Sequence, residues 1–365
     1  MSRRISIGAL ALISLMGCGP SLWVSHVTPE VAVQEWESQR SAAVPDPLKI
    51  RLEAVLQEGL NGRRLSSDVN AAWQIMHGVI PYGRQLLIGT PDRGESSAID
   101  YAFSGGQMMG FELMAGGEVL PATGRQGLKA RLEPGSYMGQ GHVDQWIAIF
   151  AMADLPLDTA VEHAGQQFTL LDWARQAQFD ASRNILDEYS WTLIALTHYF
   201  PDEPSWQAAD NRMISWEQLV DVELDYDLDA SACGGAHRLV GLSRALQAKE
   251  RLGLADSPTW QRAQATVEQG LQSVREHRTP TGALSSFYFV RAGSTADLSA
   301  ELASSGHLLE FAAVAAPLET LSEPWLELAA ARLCEVLENT RDVELDCGAL
   351  YHALNGLKIY HARRY

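Results

Sequence analysis

Apolar residues recur at three-to-four spacing from Leu48 to Met76. Ile50, Leu52, Val55, Leu56 and Leu60 predict a helix with one buried stripe. Residues 79–141 carry no such period. They are rich in glycine, and Met108–Val119 alternates weakly around Gly116-Gly117, which predicts a small β-hairpin in an irregular segment. So long an irregular stretch is uncommon in a compact domain and is often functional. From His142 onward two patterns alternate. Gly141–Ile149, Tyr189–Leu196, Cys233–Leu242, Ser305–Phe311 and Cys347–Leu357 each place a His or Trp in the first turns and then become apolar nearly all round. Between them, Leu170–Phe179, Trp216–Leu224, Trp260–His277 and Trp325–Glu338 are apolar on one face only. An all-round apolar helix is buried, and a one-sided helix faces water. The alternation therefore predicts inner and outer helices. The anchors His142, Trp191, His237, His307 and His352 stand about 45 to 50 residues apart, with one longer interval, a period that marks helix-hairpin arrays. The predicted fold class is all-α. It is an α/α toroid, a barrel of helix hairpins filling residues 47–365 as a single domain, with the irregular glycine-rich segment at 79–141 and a minor β-hairpin.

The N-terminus is different in kind. Met1-Ser2-Arg3-Arg4 is basic, and the apolar run Ile5–Met16 is too short to span a bilayer. That combination reads as a signal peptide. The run ends Leu15-Met16-Gly17-Cys18, which resembles the lipobox of bacterial lipoproteins. The resemblance implies a signal peptide over residues 1–18 and diacylglycerol on Cys18. It also implies a soluble body outside the cytoplasm, lipid-anchored in the cell envelope. Gly19, not aspartate, follows the cysteine, which implies an outer-membrane or outward-facing anchor. Residues 19–46 are polar and punctuated by proline, and are expected to form a tether. More than one acyl chain on a single residue suffices for stable anchoring.

Charge narrows the partners. The chain carries 28 Lys and Arg against 45 Asp and Glu, a formal charge of −17, with no basic cluster. Nucleic acid is excluded as a partner class, because neutralising phosphates needs a basic footprint. A hydrophobic content of 46% is enough for a proper core. With Cys18 lipidated, Cys233, Cys334 and Cys347 remain. Cys334 and Cys347 are the pair expected to bond, by proximity and the exported location.

The chain's end, Asp346-Cys347-Gly348-Ala-Leu-Tyr351-His352-Ala-Leu-Asn355-Gly356-Leu357, resembles the last inner helix of protein prenyltransferase β subunits. Thr279-Pro-Thr-Gly282-Ala-Leu-Ser-Ser-Phe287 resembles the turn before inner helices in prenyltransferase and squalene cyclase repeats. These resemblances imply the toroid over about residues 140–365. They also imply a zinc site of Asp, Cys and His, for which Asp227 or Asp229, Cys233 and His352 are candidates, with His237 nearby. No cofactor motif stands alone in the sequence, and zinc enters only here. Cys233 and His237, four apart, are expected on one helix face. Asp225-Tyr-Asp227-Leu-Asp229-Ala-Ser-Ala232 resembles the acid motif of squalene-type cyclases, which implies Asp229 as proton donor. Its second adjacent aspartate is Ala230 in this chain.

In a toroid the inner helices lie side by side and open at one mouth. His142, Trp146, Trp191, His237, His307, Tyr351 and His352 are then expected to border one pocket. Asp144, Glu188, Asp229 and Glu310 fall at or near inner-helix starts and are the candidate catalytic carboxylates. Paired carboxylates with aromatic platforms suit glycan hydrolysis or lysis. The expected function is binding of a small-molecule or glycan ligand in the envelope by this pocket. The alternatives are a carboxylate-dependent glycan enzyme and a zinc- or acid-dependent prenyltransferase-like or cyclase-like enzyme. No nucleophile elbow, phosphate loop or dinucleotide turn occurs.

Overall fold

A computed structural model describes residues 46–184, 186 and 188–365. The predicted signal peptide, Cys18 and nearly all of the tether lie outside the described residues. Asp46 is described, and its carboxylate accepts from Leu48 N at 2.8 Å to cap the first helix.

The described chain is mostly helical. Its α-helices are α1 (Pro47–Gly62), α2 (Ala72–Tyr82), α3 (Ala98–Phe103), α4 (Gln145–Met152), α5 (Leu170–Asp180) and α6 (Ser190–Tyr199). They continue with α7 (Trp216–Leu224), α8 (Ala236–Leu252), α9 (Pro258–His277), α10 (Leu298–Ala315), α11 (Pro324–Asn339) and α12 (Cys347–Arg364). Among the described residues, no helix is long and apolar enough to cross a membrane.

Burial separates two kinds of helix, as the apolar pattern predicted. In α10 the buried residues run almost unbroken from Glu301 to Val314. In α9 only a stripe is buried: Trp260, Ala263, Val267, Gly270 and Val274. The inner helices α2, α4, α6, α8, α10 and α12 pack in cyclic order, each on the next and α12 back on α2. The one-faced helices α1, α5, α7, α9 and α11 pack on members of that cycle. Trp146, Trp173, Trp191, Trp216 and Trp260 are fully buried within this arrangement. Each removes apolar surface worth about 4–6 kcal/mol in transfer terms, before conformational entropy.

Glycine sets how closely the inner helices approach. A Cβ at Gly306 of α10 would lie 2.8 Å from Ala353 N of α12, and one at Gly356 would lie 2.8 Å from Glu310 N. These are backbone atoms, which cannot rotate away. The two longest fully apolar helices therefore touch backbone to backbone at this seam.

The strands are short: β1 (Leu65–Ser66), β2 (Leu87–Thr90), β3 (Gly94–Ser97), β4 (Leu113–Val119), β5 (Gln126–Ala130), β6 (Ala160–His163), β7 (Gln166–Thr169), β8 (Ser205–Gln207) and β9 (Met213–Ser215). They form a three-stranded sheet β1-β2-β3 and the hairpins β4-β5, β6-β7 and β8-β9. Two hairpins join an inner helix to the next outer one. Each ends on a capping box, Thr169 with Asp172 and Ser215 with Gln218, which starts α5 and α7.

Four expectations are corrected here. The single helix over Leu48–Met76 is two helices, α1 and part of α2, broken where Arg63 donates to the carbonyls of Thr340 and Val343. Residues 79–141 are more regular than predicted, holding the end of α2, α3 and two strand pairs. Gly116-Gly117 is not the hairpin turn. It lies inside β4 beside a register irregularity, and a Cβ at Gly116 would displace the Gln176 side-chain amide packed against it. The chain after His142 is not helical throughout. Hairpins intrude at 160–169 and 205–215, turning on left-handed Ala164, Gly165 and Asn211. In addition, the expected Cys334–Cys347 disulfide is not formed, and Cys233, Cys334 and Cys347 are all free thiols.

Candidate metal centre

The imidazoles of five helical segments converge. Ring centroids are 4.1 Å apart for His307 and His352, 4.9 Å for His237 and His352, and 5.0 Å for His237 and His307. His77 joins at 5.3 Å from His352, and His142 at 6.5 Å from His237. The Trp191 ring closes the group, 4.6 Å from His237 and 6.0 Å from His142.

The helices bring these residues together from unequal depths. His237 is the second residue of α8, and His77 and His352 are each the sixth of α2 and α12. His307 is the tenth of α10, because that helix begins at Leu298, upstream of the predicted start. His142 precedes α4, next to Asp144, which takes the left-handed conformation at φ 58°.

Four of the five rings are held at Nδ1. His77 donates to Trp73 O at 2.6 Å and His307 to Ala303 O at 2.7 Å. His352 donates to Glu310 Oε2 at 2.6 Å, and His142 to Glu188 Oε2 at 2.8 Å. A ring held this way has its Nε2 lone pair free, which is how proteins orient metal-binding histidines. The Nε2 atoms of His237, His307 and His352 are buried with no hydrogen-bond partner. Burial pushes His77 down to about 4 and holds His237, His307 and His352 below the ordinary histidine range. These rings are neutral at physiological pH, the form that binds a metal.

Cys233 supplies a softer donor. One ligand atom from each of Cys233, His237 and His307 lies within 4.8 Å of the other two. Donors on a tetrahedral zinc ion stand roughly 3.3–3.8 Å apart, so this triad needs only a small contraction to close on one. Cys233 and His237 do not share a helix face as expected. Cys233 sits in the turn before α8 at φ 51°, followed by left-handed Gly234 and Gly235. A non-glycine residue held there is strained, and such strain concentrates at functional sites. Gly234 cannot be replaced without a clash, since its Cβ would meet the Tyr288 ring at 2.4 Å. Burial pushes the Cys233 thiol up to about 12. Only a neighbouring cation would make the thiolate its stable form there.

Glu310 is the hub behind His352. Its Oε1 accepts from Asn355 Nδ2 at 2.7 Å, while its Oε2 accepts from His352. Burial raises its carboxyl to about 7. Glu310→Ala strands two buried donors and is expected to cost about 3 kcal/mol of stability, read by urea denaturation.

A cleft of about 360 Å³ opens over this group, with His142, Glu188, Tyr226, Asp227, Ser231 and His237 on its walls. Arg238 fixes the loop that forms one side. It pairs with buried Glu223 at 2.8 Å, donates to Ser231 Oγ at 2.9 Å and lies 4.1 Å from the Tyr226 ring centre. Arg238→Met leaves the buried Glu223 carboxylate without a counter-charge, held only by Tyr189 N, which costs about 3 kcal/mol and loosens residues 225–235. Hydrogen exchange of that loop checks it.

No family model, curated protein or solved structure matches the chain.

The other expected site residues fall as follows. The structure brings together His142, Trp191, His237, His307 and His352, with Glu188 and Glu310 behind two of them. Trp146 and Tyr351 are buried in the core, Tyr351 edge-on to Tyr82. Asp144 is half-buried, accepts from Thr192 Oγ1 at 2.7 Å, and desolvation raises it to about 6. Asp229 is exposed, its backbone N–H donating to Asp227 Oδ1 at 3.0 Å. Asp227 lines the cleft and Asp229 does not. The triad takes His307 where the sequence pointed to His352, which stacks beside it. His77 and Tyr288 were not singled out from the sequence. His77 fell between a predicted helix and a predicted loop, although Trp73–Ile80 repeats the signature of the other inner segments. Tyr288 carried no sequence signal. It lies at φ 50° with its ring 6.4 Å from His307.

Proposed function

We propose that this chain is an exported lipoprotein whose body, an α/α toroid, holds a zinc ion on Cys233, His237 and His307 and presents it to a ligand in the overlying cleft. The observation that carries the reading is the set of three donor residues, each with a ligand atom within 4.8 Å of the other two, of which His237 and His307 have buried Nε2 atoms lacking hydrogen-bond partners. Unpaired buried polar groups are costly, and a metal ion would satisfy both imidazoles while holding the Cys233 thiolate. The cyclic order of the apolar helices supports the toroid, and the lipobox resemblance supports the anchor. Cys18→Ala is expected to move the protein from the membrane fraction to the soluble one; retention in the membrane speaks against lipidation.

Zinc bound there would act as a Lewis acid on a ligand oxygen or sulfur. Three protein donors leave one tetrahedral position for that ligand. The chain's own contribution is the His142–Glu188 pair at the cleft. Glu188 holds the imidazole in one orientation, so His142 can pass a proton to or from a bound ligand. The carboxylates favour this reading over a glycan enzyme, since Glu188 and Glu310 each face an imidazole and not each other. Exposed Asp229 disfavours a cyclase acid, which needs a dry, tuned environment. A second reading has one specific support: two imidazoles and a thiolate are also the equatorial ligands of copper electron-transfer sites.

Cobalt substitution tests the open position. Full-length protein loaded with Co²⁺ is expected to show intense visible bands of a four-coordinate sulfur–nitrogen site that shift on adding azide. Bands that ignore azide would mean a closed structural site. A copper-loaded protein with an intense blue band, and copper as the metal found on isolation, would favour the second reading.

A further inference from the structure

A second cavity, of about 350 Å³, lies among residues of α4, α6, α8, α10 and α12, and its cationic lining is Arg244, Arg251, Lys358 and Arg363. Asp154 is the one carboxylate on its walls, and it is largely exposed. In a chain of net charge −17, four cations around one space require an explanation. Helix C-termini attract basic residues, but that attraction is confined to the last turn. It accounts for Arg251 and Arg363. It does not account for Arg244, the ninth residue of α8, or for Lys358, six residues before the last residue of α12.

Arg363 is anchored, donating through Nη1 to Ala313 O at 2.6 Å and Val314 O at 2.8 Å. Arg244 and Lys358 make no hydrogen bond or ion pair with any described residue. Burial lowers both below their ordinary values, and Arg363 and Arg251 push Arg244 further down. Two partly buried cations without partners, set beside two more that are held by carbonyls, are the complement of a multiply charged anion. The volume exceeds what a lone inorganic ion fills and falls in the range of small-molecule pockets. Guanidinium forks match phosphoryl oxygens in pairs.

We propose that this cavity binds a phosphoryl group carried on a small molecule, with Arg244 and Lys358 as its principal contacts. The site is separate from the cysteine–histidine triad, and its cations are not donors to a metal. Asn355 lies on its wall and donates to Glu310, so an occupant would sit one hydrogen-bond chain away from His352.

Calorimetric titration of the full-length, detergent-solubilised protein with inorganic pyrophosphate tests it. The expected result is saturable binding at one per chain, weakened about tenfold or more in R244Q and in K358Q, with metal content and circular dichroism unchanged. Binding that persists undiminished in both variants would place pyrophosphate on the metal and overturn the proposal. A parallel arm uses phosphatidylcholine vesicles containing phosphatidic acid. Arg244-dependent binding to these alone would identify a lipid headgroup as the source of the phosphoryl group. Binding in neither arm overturns the proposal outright.

Discussion

Cys233→Ser and His307→Ala are each expected to weaken the proposed metal binding sharply while leaving the helix content intact. Taking the roughly 10–16 kcal/mol of protein zinc sites as an upper scale and dividing it among three ligands, losing one lowers affinity by a factor on the order of 10²–10⁴. His142→Ala is the control. Its ring centroid is 6.5 Å from that of His237 and its Nδ1 is held by Glu188, so metal content should be unchanged while any turnover in the cleft falls. Competition with a chromophoric zinc chelator reads all three variants on one scale. Equal affinity in wild type and His307→Ala would remove the triad from consideration.

Gly306→Val destabilises the protein by about 5 kcal/mol or more, enough to leave little of it folded. The Cβ alone would come within 2.8 Å of Ala353 N and 2.9 Å of Ala353 Cα. Both are backbone atoms of α12, so relief requires α10 and α12 to part. That separation opens the seam carrying His307 and Glu310 on one side and His352 and Asn355 on the other. Gly306→Ala places the same Cβ without the branches and should be less severe, though still destabilised. Thermal unfolding by circular dichroism orders the three proteins. A Gly306→Val melting curve superimposable on wild type would mean the helices do not meet as described.

The inner and outer helices were legible because burial writes itself into hydrophobic periodicity. The predicted outer segments at 170–179, 216–224, 260–277 and 325–338 lie within one or two residues of α5, α7, α9 and α11. The hairpins between them were not legible. Ala160–Thr169 and Ser205–Ser215 are short and polar-tipped, and nothing local separates them from helix-flanking loops until the capping boxes are seen. Convergence of the histidines was readable as a consequence of equivalent positions in a repeat. Their depth was not, because α10 extends upstream through Ser299, Glu301 and Ser304, which do not look apolar. Those residues are helical because Asp297 caps the segment, accepting from Ser299 N and Ala300 N. Arg332 also pairs with Glu301 at 2.8 Å. The choice of His307 over His352 as a donor depends on which ring brings a ligand atom within reach of both Cys233 and His237, and single-sequence patterns hold no record of that.

The central claim is a metal ion held by Cys233, His237 and His307, and elemental analysis tests it most directly. Full-length protein purified without chelators and examined by inductively coupled plasma mass spectrometry is expected to carry close to one zinc per chain, the content of a mononuclear site. A protein that carries no stoichiometric transition metal as isolated, and takes up none on exposure to zinc or copper, would contradict the account.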